Sequence, residues 1–238
     1  RQRESINAIN AINRLKLKSS GDDEVAARIA SYEMAFRMQS AAPELLDLAD
    51  ETPTTLKMYG ITDPAQPSFA RNCLLARRMV ERGVRFVHLF HGDWDHHTNI
   101  AGGLPSQCQQ TDQPSAALVK DLASRGLLDE TLVIWGGELG RTAVAQKSDK
   151  ANVPVGRDHH IDAYTMWFAG GGTRAGQTIG GTDDLGYFPT GESWHVHDLQ
   201  ATLLHLLGLD HRRLTYRFQG RDFRLTDVHG EVRRGLFS

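Results

Sequence analysis

The feature that most constrains the fold is a short apolar run, residues 131–135 (TLVIW), that two glycines follow directly. A run of this length and character is typical of a strand buried on both faces of a parallel sheet. Two more strands are predicted from their β-rich composition, over 84–90 (VRFVHLF) and 164–169 (YTMWFA). The chain therefore has at least three candidate strands for one sheet.

Helical patterns lie before, between and after these strands. Ser68 or a neighbour is expected to cap a helix that Gly83 ends, and further helices are predicted over about 112–125 and from Asp198 to Gly208. Because strands and helices alternate, we predict an α/β fold with a parallel, helix-covered sheet over residues 67–238.

The first 66 residues are predicted to form a helical segment followed by a loop. Ile6, Ile9, Ile12 and Leu15 recur at three-residue steps, which indicates one face of an amphipathic helix. A second helix is expected to begin just after residue 22 and to end near Pro43. Prolines and a glycine over 51–66 predict the loop.

Charge and cysteine content exclude several functional classes. Lysine plus arginine number 27 and aspartate plus glutamate 29, a net charge of −2, so no basic field indicates a nucleic-acid partner. No apolar run approaches the roughly 18–20 residues of a membrane span. Cys73 and Cys108 are too few for a disulfide scaffold or a cysteine-built zinc site. The chain starts at Arg1 without a recognisable signal peptide, which says nothing about its compartment.

Histidines cluster where the predicted fold would place a ligand site. Eight of the 11 lie in three short groups: His88, His91, His96 and His97; His159 and His160; His195 and His197. Ligands of open α/β sheets bind in loops after the carboxyl ends of strands. The histidines from His91 to His97 and the segment Glu138–Arg141 each follow a predicted strand.

Each cluster has a functional and a structural interpretation. Asp95 and His97 are either a pair of metal ligands or part of a solvated turn. Glu138 could bind a metal and Arg141 an anion, or the two could form a surface ion pair. Asp158, His159 and His160 form a second cluster, and together the two favour a site with one or two metals. Carboxylate with imidazole suits zinc, manganese or iron. For His195 and His197, beside the expected cap Asp198, a structural role is favoured.

A nucleophilic hydrolase of the serine or cysteine type is the competing catalytic class. The G-x-S-x-G elbow is absent from the sequence, and neither cysteine lies in a recognisable catalytic frame.

Four stretches together resemble the domain-of-unknown-function 1501 family: 69–97 (ending GDWDHH), 131–142 (TLVIWGGELGRT), 156–160 (GRDHH) and 195–227 (beginning HVHDLQATLLHLLG). The resemblance covers essentially the whole chain. It implies a branch of the alkaline phosphatase and sulfatase superfamily, with this chain similar to the C-terminal portion of longer members. The implied fold is a partial alkaline-phosphatase-like α/β/α sandwich with a mostly parallel sheet and a helical N-terminal segment.

The resemblance also implies site residues and chemistry. Asp95 and His97 would be metal ligands, and His159 with Asp158 or His160 would complete the site. Glu138 and Leu139 stand where the superfamily has an Asp-His pair, and the nucleophile would come from upstream.

The implied activity is metal-dependent hydrolysis of sulfate or phosphate esters, on a small molecule or a polysaccharide. Arg141 would stabilise the ester oxygens, and His160 would protonate the leaving group. The cofactor would be a divalent metal (zinc, manganese or calcium), and the location periplasmic or extracytoplasmic. The alternative is a non-catalytic, metal-stabilised surface or glycan-binding protein.

Overall fold

A computed structural model describes residues 2–21 and 23–237 of the chain. Packing divides the chain into two compact units, Arg1–Thr52 and Pro53–Ser238. The candidate site residues all belong to the second unit.

The first unit is a helical hairpin of α1 (Gln2–Ser20) and α2 (Asp23–Leu46). Both predicted helices are confirmed, and α2 continues three residues beyond Pro43. The half-buried Glu33 carboxylate joins the two helices, because it accepts a hydrogen bond from the Asn10 side chain at 3.2 Å. The predicted apolar face of α1 is largely not buried: Ile9, Ile12 and Leu15 are all exposed.

Three helices of the second unit pack around a buried polar network. They are α3 (Pro53–Tyr59), α4 (Phe69–Glu81) and α5 (Ile100–Ser124). The Tyr59 hydroxyl donates to Asp121 Oδ2 at 3.1 Å, and Arg77 Nε lies 3.0 Å from the same oxygen. Pairing of this kind is needed because an isolated buried charge is strongly destabilising.

The helix boundaries agree in part with the predicted caps and terminators. Ser68 caps α4 by accepting from the Arg71 N–H, and Gly83 follows the helix with a left-handed φ of +80°, both as predicted. The helix predicted over 112–125 is the second half of α5, which begins earlier and runs through two prolines. The short helix α3 lies in the stretch predicted to be a loop.

The strands form four separate antiparallel pairs. β1 (Val133–Gly136) pairs with β4 (Met166–Ala169), and β2 (Gly140–Arg141) pairs with β3 (His159–His160). Two further pairs complete the described strands, β5 (Gly181–Thr182) with β6 (Pro189–Thr190) and β7 (Thr215–Phe218) with β8 (Arg221–Arg224). Short 3-10 helices span Leu128–Glu130 and Arg234–Leu236.

The predicted α/β/α sandwich with a mostly parallel sheet is therefore wrong. Parallel pairing needs a crossover, usually a helix, to return the chain to the same end of the sheet. The connection from β1 to β4, residues 137–165, contains the β2–β3 pair and no helix, so β4 returns antiparallel with Trp167 opposite Trp135.

The strand predicted over 84–90 does not form. Phe86 and Phe90 are 75% and 78% exposed, and no described segment pairs with them. Its composition suits a strand, but a strand forms only where a neighbour supplies hydrogen-bond partners.

The last α-helix is α6 (Val196–Leu206). Its N-cap is His195, whereas Asp198, the predicted cap, lies at the third helical position. The two form a reciprocal capping box, in which the His195 side chain and the Asp198 carboxylate each accept a backbone N–H. Across the described stretches, no helix has both the length and the apolar character needed to cross a bilayer.

Candidate metal centre

Two segments carry the site residues: the irregular loop 91–99 and the β2–β3 pair. The loop carries Asp95 and His97. In the pair, Arg141 lies opposite His159, and Gly140 lies opposite His160. Residues directly opposite in an antiparallel pair project from the same face. Arg141 and His159 therefore reach Asp95 together.

Residues 154–157 hold the loop in place. Arg157 N donates to the His96 carbonyl at 2.9 Å, and Asn99 N donates to the Pro154 carbonyl at 3.0 Å. Between these contacts lies Gly156, where a Cβ would approach the His97 carbonyl carbon to 2.1 Å. Only glycine permits this approach, which fixes the backbone that carries His97.

Asp95, His97 and His159 bring three ligand atoms within 4.8 Å of one another. Asp95 Oδ1 lies 2.9 Å from His97 Nε2 and 3.0 Å from His159 Nε2. The Asp95 side chain is 54% exposed, and those of His97 and His159 are 37% and 38% exposed. The cluster is thus accessible from solvent on one side.

Gln146 contacts the ring nitrogen of His97 that faces away from Asp95. Its amide oxygen Oε1 lies 2.7 Å from His97 Nδ1. Since this oxygen can only accept, Nδ1 carries a hydrogen, and Nε2, which faces Asp95 Oδ1, is the nitrogen that a metal could take. The position of Gln146 is set by two backbone hydrogen bonds with Gly156, at 2.8 and 3.0 Å.

Hydrogen bonds keep the Asp95 carboxylate ionised. Those from His159 and from Arg141 lower its pKa from its ordinary value to about 2. Arg141 Nη1 contacts Asp95 Oδ1, and Nη2 of the same guanidinium lies 3.4 Å from Glu138 Oε1. Asp95 is therefore a negatively charged ligand throughout the physiological pH range.

The other predicted site residues lie around this cluster rather than in it. Asp158 Oδ1 is 4.0 Å from His97 Nδ1 and accepts from the His159 N–H at 2.7 Å, so it orients the hairpin beside the site. Glu138 reaches the cluster through Arg141. His160 projects from the opposite face of the hairpin, where its Nε2 donates to the Tyr187 carbonyl at 2.9 Å.

An open cleft adjoins the cluster. Its lining comprises His91, Gly92, Asp93, Trp94, Asp95, His96 and Glu138. The Trp94 indole N–H donates to His91 Nδ1 at 3.0 Å, and its ring packs edge-on against Trp135 at 5.9 Å. The cleft thus combines three carboxylates with an aromatic wall.

Sequence reasoning missed Gln146 and Trp94. Gln146 lies 49 residues from His97 and belongs to no motif of ligand-type residues, so only the folded contact reveals it. Trp94 could have been found, because it lies inside the GDWDHH segment directly before the candidate ligand Asp95.

The third histidine group packs at the start of α6. The His195 and His197 rings are 4.8 Å apart, and His229 stacks on His197 at 5.2 Å. His195 Nδ1 accepts from the His197 N–H, so its lone pair caps the helix.

The donor set of the cluster fits a divalent transition metal. One carboxylate oxygen and two imidazole nitrogens are a three-ligand set of the kind that catalytic zinc uses, with a further position left to water or substrate. The partial exposure of all three side chains suits that further position.

Comparison with known proteins identifies a family. Neither the curated proteins nor the solved structures compared with the chain include a match. One family model, described as a protein of unknown function (DUF1501), matches residues 1–237, which agrees with the resemblance of its motifs. The chain therefore belongs to the DUF1501 family.

Proposed function

We propose that this protein binds a divalent metal through Asp95, His97 and His159, and that the metal serves the hydrolysis of sulfate or phosphate esters. One observation carries the proposal: three metal-ligand atoms from two distant segments lie within 4.8 Å of one another beside an open cleft. The resemblance of the motif segments to sulfatase-like proteins supports the choice of ester.

Zinc is the metal that this donor set favours, with manganese as the second choice. Imidazole nitrogens suit zinc, whereas calcium prefers an all-oxygen shell, which argues against calcium here. When bound, such a metal polarises an ester oxygen as a Lewis acid. The protein's part is to hold His97 in the Nδ1–H tautomer through Gln146 and to keep Asp95 ionised.

Arg141 supplies the contact for an anionic substrate. Its planar guanidinium matches the paired oxygens of a sulfate or phosphate group, and it lies beside the proposed metal ligands. The cleft along residues 91–96 is open, which suits either a small-molecule ester or an ester group carried on a polysaccharide.

A metal-stabilised binding protein without catalysis is the second candidate. The hydrogen bonds of His160, the predicted proton donor, favour this candidate, because both ring nitrogens are already engaged by the backbone. Nε2 donates to the Tyr187 carbonyl, and Nδ1 accepts from the Asp162 N–H. The hydroxyl of Thr142, the residue after Arg141, is also occupied by hydrogen bonds. It donates to the Val144 carbonyl and accepts from the Asp158 N–H.

Zinc titration by calorimetry tests the metal centre. We expect one equivalent of zinc to bind the wild type. Asp95→Asn and His159→Gln each remove a ligand and should weaken binding by at least about 100-fold, the upper range for loss of an outer hydrogen-bond partner. His160→Gln is the matched control, because it changes the adjacent histidine on the other face of the same hairpin. Equal zinc affinity in all four proteins would contradict the proposed centre.

An ester screen separates the two candidate functions. The zinc-loaded protein in its full natural length is assayed on sulfate and phosphate esters. A hydrolase turns over at least one ester and loses that turnover in His159→Gln. A binding protein retains zinc and turns over none.

A further inference from the structure

A single oxygen of the site faces three nitrogen atoms. Asp95 Oδ1 contacts His97 Nε2, His159 Nε2 and Arg141 Nη1. Arg141 is the only one of the three that carries a permanent charge and has no lone pair to offer a metal. It is therefore a cation at the very oxygen that the proposed metal needs.

Arg141 is held in this position by its surroundings. Its side chain is 21% exposed, and its place opposite His159 in the β2–β3 pair directs it onto Asp95. The other end of the guanidinium faces Glu138, three residues earlier, at 3.4 Å. Arg141 thus neutralises Asp95, and a second carboxylate, that of Glu138, lies beside it in the lining of the cleft.

A divalent cation bound at Asp95 Oδ1 would lie next to the guanidinium that contacts the same oxygen. Like charges at this separation repel, and the repulsion is strong where solvent screening is incomplete. Asp95 lies within the proposed ligand set, whereas Glu138 lies beside it and is 70% exposed. The arginine is consequently the group that has to move, and Glu138 offers it a contact in the cleft.

We propose that Arg141 holds the place of the metal at Asp95, and that a divalent metal displaces its guanidinium into the cleft, where it binds an oxyanion. This inference rests on the metal centre proposed above. It makes the two binding events interdependent: metal binding releases the arginine for the anion, and the anion removes the competitor of the metal. Such coupling is reciprocal, so each ligand raises the affinity for the other by the same factor.

Zinc titrations with and without inorganic sulfate test the coupling. Sodium chloride at equal ionic strength is the reference, so that screening alone cannot produce the effect. In the wild type, we expect sulfate to raise zinc affinity by about fivefold or more, the usual lower range for such coupling. Arg141→Gln is expected to bind zinc about five to ten times more tightly than the wild type without sulfate, and to show no response to sulfate.

Arg174→Gln is the control for the change of charge, because Arg174 is exposed in the same unit and lies outside the cluster. It should behave as the wild type in both titrations. Zinc binding that Arg141→Gln leaves unchanged or weakens, or a sulfate effect that persists in this variant, overturns the displacement and leaves the metal centre standing. Failure of both wild type and Arg141→Gln to bind zinc overturns the metal centre and the displacement together.

Discussion

His97 can serve as a metal ligand only if its proton lies on the nitrogen that faces away from Asp95. Gln146 favours this arrangement, because its amide oxygen lies 2.7 Å from Nδ1 and accepts a hydrogen there. Outer hydrogen bonds of this kind orient a histidine ligand and raise its basicity, and their loss typically costs 10- to 100-fold in metal affinity. The proposed centre therefore depends on Gln146 for its metal affinity, as it does on the ligands.

Substitution of Gln146 separates this role from simple packing. We expect Gln146→Leu to weaken zinc binding about 10- to 100-fold, because His97 loses the acceptor that selects its tautomer. Gln146→Glu keeps an acceptor oxygen and should bind zinc at least as tightly as the wild type. Calorimetric titration of the three proteins measures the difference. Equal affinity in Gln146→Leu and the wild type would contradict the role.

At the scale of elements, the start of α6 depends on one buried carboxylate. Asp198 accepts from the backbone N–H groups of His195 and Glu231 and from the Arg233 guanidinium. Burial raises its pKa, but these hydrogen bonds outweigh burial and lower the pKa below its ordinary value. Asp198 therefore links the N-terminus of α6 to the C-terminal segment near Arg233.

The lowered pKa predicts how this link depends on pH. Because the folded pKa lies below the unfolded value of about 3.9, the stabilisation is complete well above pH 4 and is lost as the pH falls through the folded pKa. We expect Asp198→Asn to lower the free energy of unfolding by about 2 to 3 kcal/mol at pH 7, and the difference to shrink below pH 4. Urea denaturation at pH 7, 5 and 3 measures it.

A matched exposed carboxylate serves as the control for this series. Asp222 pairs with Arg217 at 3.3 Å, and both side chains are more than half exposed. Such a pair contributes little, so Asp222→Asn should change the free energy of unfolding by less than about 1 kcal/mol. A pH-independent difference between wild type and Asp198→Asn would contradict the assigned titration.

At the scale of the whole molecule, the proposed ligands lie in one compact unit. Asp95, His97 and His159 belong to Pro53–Ser238, and the α1–α2 hairpin belongs to Arg1–Thr52. A ligand that binds only the folded state stabilises the unit whose folding forms its site. The hairpin therefore provides an internal reference within the same chain.

Hydrogen exchange with and without zinc tests this division. At a free zinc concentration 100 times the dissociation constant, we expect the Pro53–Ser238 unit to gain about 2.7 kcal/mol of stability. Its slowest-exchanging amides should slow accordingly, whereas those of α1 and α2 should not change. Equal slowing in both units, or no slowing in either, would contradict the prediction.

The sequence determined the features that depend on neighbours along the chain. The N-cap Ser68 and the terminator Gly83 define α4, and apolar periodicity indicates α1, because both signals act within one or two helical turns. The motif segments also identified the family and supplied the candidate ligands Asp95, His97 and His159.

Tertiary structure decided which of these features combine. Strand pairing is a contact between distant segments, so local composition gave neither the antiparallel partner of β1 nor the lack of a strand over 84–90. In the same way, adjacency along the chain could not separate His159 from His160. The two-residue alternation of the β2–β3 pair places His159 on the face of Asp95 and His160 on the other, and it brings Arg141 to the same carboxylate.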